Sequence, residues 1–137
     1  MAAHPLETWH RLASARDASG LPALLAEDAV FHSPVVHSPQ RGRTLVAGYL
    51  AAAFHVFGNP SFRYVREIVG EHEAALEFET QVDGVHVNGV DLIRWNAQGQ
   101  VVDFKVMVRP LKAIELIHRR MAEMLAAAKP ADPSSKG

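Results

Sequence analysis

A carboxylate stands among apolar residues in Asn88-Gly89-Val90-Asp91-Leu92-Ile93-Arg94-Trp95. The segment is rich in β-branched and aromatic side chains, so it reads as a strand, on which alternate side chains share a face. Gly89, Asp91, Ile93 and Trp95 then point one way, and Val90, Leu92 and Arg94 the other. A carboxyl group on an apolar face either finds a partner or has its pKa raised until it is neutral. Both outcomes concentrate at functional sites, where a poised acid donates a hydrogen bond or a proton. Asp91 is therefore a candidate catalytic acid, and the competing reading is a structural carboxylate held by a neighbouring hydroxyl, histidine or amide.

The second chemical stretch is Phe31-His32-Ser33-Pro34-Val35-Val36-His37-Ser38. Imidazole is the natural general base near neutral pH, which makes His32 the candidate for moving a proton, with His37 behind it. Two histidines five apart on an extended segment do not make the paired ligands that a helical turn provides, and the chain has no cysteine. No metal and no cofactor are expected.

Composition bounds what these groups can serve. With 137 residues and 48% hydrophobic content, the chain suits one domain with a real core, expected over residues 1–129. The 14 basic and 15 acidic residues are interspersed, giving a net charge of -1. Nucleic acid and anionic membranes are not expected partners. No basic leader precedes an apolar core, and no apolar run approaches the ~20 residues that cross a bilayer, so the expected location is the cytoplasm.

The elements that must position Asp91 follow from periodicity. Leu6, Trp9, Leu12 and Ala13 after Pro5 predict an amphipathic helix to about Ala18, stopped by Ser19-Gly20. Pro22 opens a short helix, Leu21 to Ala26, and Ala29 to Ser33 turns extended. Pro34 and Pro39 limit Val35 to Ser38 to an edge strand or loop. Thr44 caps a third helix carrying Leu45, Tyr49, Leu50, Ala53, Phe54 and Phe57, which stops at Gly58-Asn59-Pro60. From Ser61 to Arg109 the pattern alternates, with breaks at Gly70 to Glu73, Asp83-Gly84 and Asn96 to Gly99, which predicts four consecutive antiparallel strands. Their apolar alternation calls for helices on one face. A final helix runs from Pro110 to about Lys129, and residues 130–137 are expected to be a disordered tail.

This order resembles the NTF2-like superfamily of cone-shaped α+β proteins, in its SnoaL-like and ketosteroid isomerase-like branches. The resemblance is carried by Leu24-Leu25-Ala26-Glu27-Asp28-Ala29-Val30-Phe31, by Gly42-Arg43 ahead of the third helix, and by Val90 to Trp95 followed by Gly99-Gln100-Val101-Val102. It implies a curved antiparallel meander closed by N-terminal helices around an apolar pocket, a C-terminal helix, and a homodimer through the outer sheet face. Asp91 resembles the aspartic acid that stays protonated in ketosteroid isomerases and donates to a developing enolate. Ser33 stands where that family has its proton-shuttling aspartate, and the first helix offers Trp9 where the family has a tyrosine. If Ser33 points inward, an ideal strand turns His32 away, and only a bulge or the kink at Pro34 reverses that.

In such a cone, core and pocket lining are the same residues seen from two sides. Trp9, Phe31, Ser33, Tyr49, Phe54, Phe78, Phe104 and Val106 are thus the expected ligand contacts. Glu77, Glu79, His86, Asn88, Arg94, Lys105 and Arg109 belong to the outer face. The function expected is a small cofactor-independent isomerase, lyase or hydrolase acting on a hydrophobic carbonyl-bearing or cyclic molecule, with Asp91 on an oxygen and His32 moving the proton. The alternatives are a non-catalytic binder of a small apolar ligand and a dimeric accessory module.

Overall fold

A computed structural model describes residues 4–128; the expected tail lies outside them. The chain runs α1 (Pro5–Ala15), a 3-10 turn (Ala18–Gly20), α2 (Leu21–Leu24), β1 (Leu25–His32), β2 (Gln40–Arg41), α3 (Arg43–Phe57), β3 (Arg63–Val69), β4 (Glu73–Val82), β5 (Val85–Trp95), β6 (Val101–Arg109) and α4 (Leu111–Ala128).

The six strands form one curved, unclosed sheet in the order β2-β1-β6-β5-β4-β3. β1 lies parallel to β6, and the remaining neighbours are antiparallel. The expected four-strand meander is β3 to β6. Strand parity sends Leu76, Phe78, Thr80 and Val82 of β4 and Val87, Gly89, Asp91, Ile93 and Trp95 of β5 to one buried face. Leu6, Trp9 and Leu12 of α1, Val46, Leu50 and Phe54 of α3, and Ala113, Leu116 and Ile117 of α4 complete the same core. The fold is the α+β cone that the sequence resembles.

Several boundaries differ from expectation. The first helix ends at Ala15 because Arg16 turns left-handed (φ 53°) and the amides of Arg16 and Asp17 bond back to the carbonyls of Ala13 and Leu12. The second helix stops at Leu24, two residues short, and β1 begins at once, since Leu25 pairs with Val101 of β6. Ladder pairing there overrides the helical preference of Leu-Ala-Glu. Gly42, at φ 102°, and not Thr44, caps α3. Residues 35–38 form a loop, and the edge strand is the following pair, Gln40 and Arg41.

The other face of the sheet is polar around an apolar centre. Arg63 pairs with Glu79 at 2.9 Å and Arg66 with Glu77 at 3.0 Å. Asn88 donates to Glu77 and receives Arg109. Ile68 and Met107 lie exposed between them, beside Ala75 and Val90.

Candidate active site

Between α1, the end of α3 and the buried sheet face lies a cavity of about 50 Å³. Its apolar wall includes Trp9, Phe54, Phe57, Phe62, Phe78 and Phe104, and Asp91 is the one carboxylate in it. β5 places Asp91 between Leu76 of β4 and Val106 of β6, so neighbours along both ladders are aliphatic. Gly89, two residues earlier on the same face, makes room for Phe78: a Cβ there would come within 2.4 Å of that ring and 2.8 Å of the Met107 carbonyl oxygen.

Asp91 is only 6% exposed. Burial in this apolar wall raises its pKa from 3.8 to about 7, against a hydrogen bond from Tyr64 that acts to lower it. Tyr64 lies on β3, and although its ring is partly exposed, its hydroxyl reaches inward to Asp91 Oδ2 at 2.6 Å. The Trp9 indole Nε1 donates to the same hydroxyl at 2.9 Å. Burial pushes the Tyr64 phenol well above its ordinary pKa, and the Asp91 charge pushes it further, so it keeps its proton at neutral pH.

These types fix the direction of the chain of bonds. An indole nitrogen only donates, so the Tyr64 oxygen accepts from Trp9 and its single proton goes to Asp91 Oδ2. Any proton on Asp91 then resides on Oδ1. That oxygen makes no hydrogen bond among the described residues, and Asp91 lines the cavity. The cavity thus presents one free polar atom, on a group that changes charge near neutral pH.

Of the residues expected to contact a ligand, Trp9, Phe54, Phe78, Phe104 and Val106 line this cavity. Phe31, Ser33 and Tyr49 do not: Phe31 is core with Tyr49 packed against its ring, and Ser33 faces a separate outer groove with His37 and Lys105. His32 is not brought to Asp91. Phe31 takes the inward position on β1, so parity turns His32 to the other face, where its Nε2 lies 3.0 Å from Asp103 Oδ2 on β6. Neither a bulge nor the Pro34 kink reverses it, and the partnership of acid and histidine is corrected to one of acid, tyrosine and tryptophan.

Tyr64 is the cavity group that the sequence analysis does not single out. Attention to the first helix for a tyrosine obscured a plain signal: in Phe62-Arg63-Tyr64 the alternation places both aromatics on one face. Tyr64 is further clamped by α1, since the His10 ring packs edge-on against it and His10 Nε2 lies 2.6 Å from Glu67 Oε1. Among the described residues there is no group of three or more potential metal ligands, and no helix is long and apolar enough to cross a membrane.

Residues 6–104 match the family model of the SnoaL-like domain. Among solved structures, the chain is similar to a steroid delta-isomerase from Pseudomonas aeruginosa, with 38% identity, 90% of each chain covered and a TM-score of 0.85. It is also similar to a cystatin-like-fold protein from Silicibacter pomeroyi, with 34% identity, 87% of this chain and 83% of that one covered, and a TM-score of 0.81. An NTF2-like protein from Mesorhizobium loti shares the fold at 22% identity, with 77% and 88% covered and a TM-score of 0.67. No curated protein sequence matches. The match over residues 6–104, on a cone closed around a buried acid, places this chain in the SnoaL-like family of the NTF2-like superfamily.

Proposed function

We propose that the protein is a cofactor-independent isomerase that moves one proton between two positions of a small apolar carbonyl compound. The observation that carries this reading is Asp91: a lone carboxylate in an apolar cavity, with Oδ1 free and a pKa of about 7. A group with its pKa near the working pH both takes and returns a proton efficiently. In the reaction, Asp91 Oδ1 takes a proton from the carbon beside the carbonyl, the electron pair shifts into the adjoining π system, and the same oxygen returns the proton further along it. Tyr64 keeps its proton throughout and orients the carboxyl group through Oδ2. The similarity to a steroid delta-isomerase supports the reaction class.

The cavity itself argues for a small reactive end. Its volume of about 50 Å³ is far below the roughly 300 Å³ at which drug-sized pockets begin.

The test is proton exchange with solvent. A small β,γ-unsaturated cyclic ketone incubated with the protein in D2O is converted to its conjugated isomer and gains deuterium at the γ carbon, where Asp91 delivers a proton exchanged with solvent. Asp91→Asn abolishes both while the variant stays folded. Equal exchange with wild type and the Asn variant sinks the proposal.

A second reading, non-catalytic binding of the same class of ligand, is favoured by one observation: the described cavity wall offers no second free donor to hold an enolate oxygen. Saturable binding with no exchange would select it. The outer sheet face, with Ile68 and Met107 framed by the Arg66, Glu77, Asn88 and Arg109 network, is proposed as a homodimer contact. Met107→Glu is expected to shift the light-scattering mass toward the monomer, and a wild-type monomer would remove that proposal.

A further inference from the structure

The cavity shares part of its wall with a second hollow. Phe54 and Gly58 line the cavity on one side, and the same two residues line an outer hollow of about 310 Å³ together with Arg16, Ala18, Ala51 and His55. Phe54 and Gly58 are therefore shared between a small apolar chamber and a larger outer hollow, and form the threshold that a molecule reaching from one to the other would cross.

Arg16 is held over that threshold by an unusual backbone. It occupies the left-handed region, φ 53° and ψ 41°, at the end of α1, where glycine or asparagine is the common choice. The conformation costs a side-chain-bearing residue about 1 kcal/mol or more, and such strain clusters where a side chain must be aimed. From there the Arg16 stem lies flat on Gly58: a Cβ at position 58 would come within 2.5 Å of Arg16 Cδ and 2.8 Å of its Cγ. The guanidinium Nη1 donates to the Gly58 carbonyl at 2.6 Å. Arginine has five N–H donors, and no carboxylate lies within ion-pair distance of this one among the described residues. Neither does any carboxylate line the outer hollow, where His55 is the other basic side chain.

We propose that Arg16 is a specificity-determining residue, and that the ligand is an apolar molecule carrying a carboxylate at the end opposite its reactive group. The apolar end lies among Trp9, Phe54 and Phe78, and the carboxylate takes the guanidinium donors left free above Gly58. Planar two-oxygen anions suit that fork better than a neutral amide does. This inference rests on the cavity being the ligand site, but not on the cavity being catalytic.

The probes are phenylalkanoates from phenylacetate to phenylvalerate, each paired with its primary amide. Binding is followed through the Trp9 indole N–H resonance, which reports from the cavity wall. The wild-type protein is expected to bind at least one acid roughly tenfold more tightly than its amide. Arg16→Gln brings the pair together. Raising the salt concentration narrows the gap in wild type alone. Equal affinity for acid and amide across the wild-type series, no binding of either, or an acid preference that survives R16Q overturns the proposal. A preference lost in R16Q alongside unaltered proton exchange in D91N keeps this inference and removes the catalytic one.

Discussion

Asp91 and Glu77 are carboxylates on adjacent strands, in neighbouring residue pairs of one ladder, Leu76 with Asp91 and Glu77 with Val90. Strand parity sends them to opposite faces of the sheet. Glu77 meets Asn88, which lowers its pKa most, and then the charge of Arg66, so it stays ionised among donors and water. Asp91 meets phenyl rings and one hydroxyl, and burial carries its pKa up to about 7. A single residue step through the thickness of the sheet therefore separates an ordinary surface anion from a group that titrates at neutral pH. Chemistry here is set by the face a side chain occupies more than by the side chain itself.

Substitutions on the two faces separate these cases. The largest effect is on stability against pH. Asp91 holds its proton up to about pH 7 when folded and gives it up near its ordinary value of 3.8 when unfolded. Folding is thus unpenalised below pH 4, loses stability as pH rises through that window, and carries a cost of about 4 kcal/mol above pH 7. Asp91→Asn lacks the slope: urea denaturation should show it more stable than wild type at pH 8 and close to it at pH 4. Parallel curves would remove the buried charge from the account.

Next in size is Gly89→Ala, which pushes a methyl group into Phe78 and the Met107 carbonyl. Overpacking of this kind costs ~1–3 kcal/mol, read as a lower urea midpoint with an unchanged slope. Tyr64→Phe leaves the Trp9 indole and Asp91 Oδ2 without their shared partner, for about 1–2 kcal/mol. It also removes the bond that restrains the acid, so the carboxyl carbon of Asp91, followed by NMR, should titrate higher than in wild type. A lower value would reverse the direction assigned to the Trp9, Tyr64 and Asp91 chain. Smallest is Glu77→Gln, whose denaturation midpoint and pH profile should overlay the wild type, because an exposed pair among mobile donors adds little.

Much of the cone was readable beforehand because its signals are local. Alternation in residues 74–82 and 87–95 set the buried face and placed Asp91 on it, and glycine and proline marked where the meander turns. The failures occur where distant segments decide. Leu25 and Ala26 have helical neighbours in sequence, but β6 draws them into the sheet. The residue type of His32 suggests a catalytic part, whereas strand parity turns it outward, and in the structure it is Phe31 that takes the inward position. The hydroxyl beside Asp91 comes from β3 and its donor from α1, a pairing of residues 55 positions apart that no window of sequence displays. Arg16 gave no sign at all, since a left-handed arginine lying on a glycine 42 residues away exists only once the chain is folded.

The parallel seam between β1 and β6 has a consequence for how the chain is made. On the ribosome, α1 and β1 emerge well before β6, the strand that pairs with β1 in parallel and the last strand of the sheet to be made. The β3–β5 ladders can zip up as each hairpin appears, whereas Phe31 waits for Phe104 and Trp9 waits for Tyr64. Such long-range pairings are the slow ones, and apolar surface stays uncovered until they form. β1 thus has only the short β2 beside it until β6 is made, and the acid acquires its surroundings only when nearly the entire cone has left the tunnel.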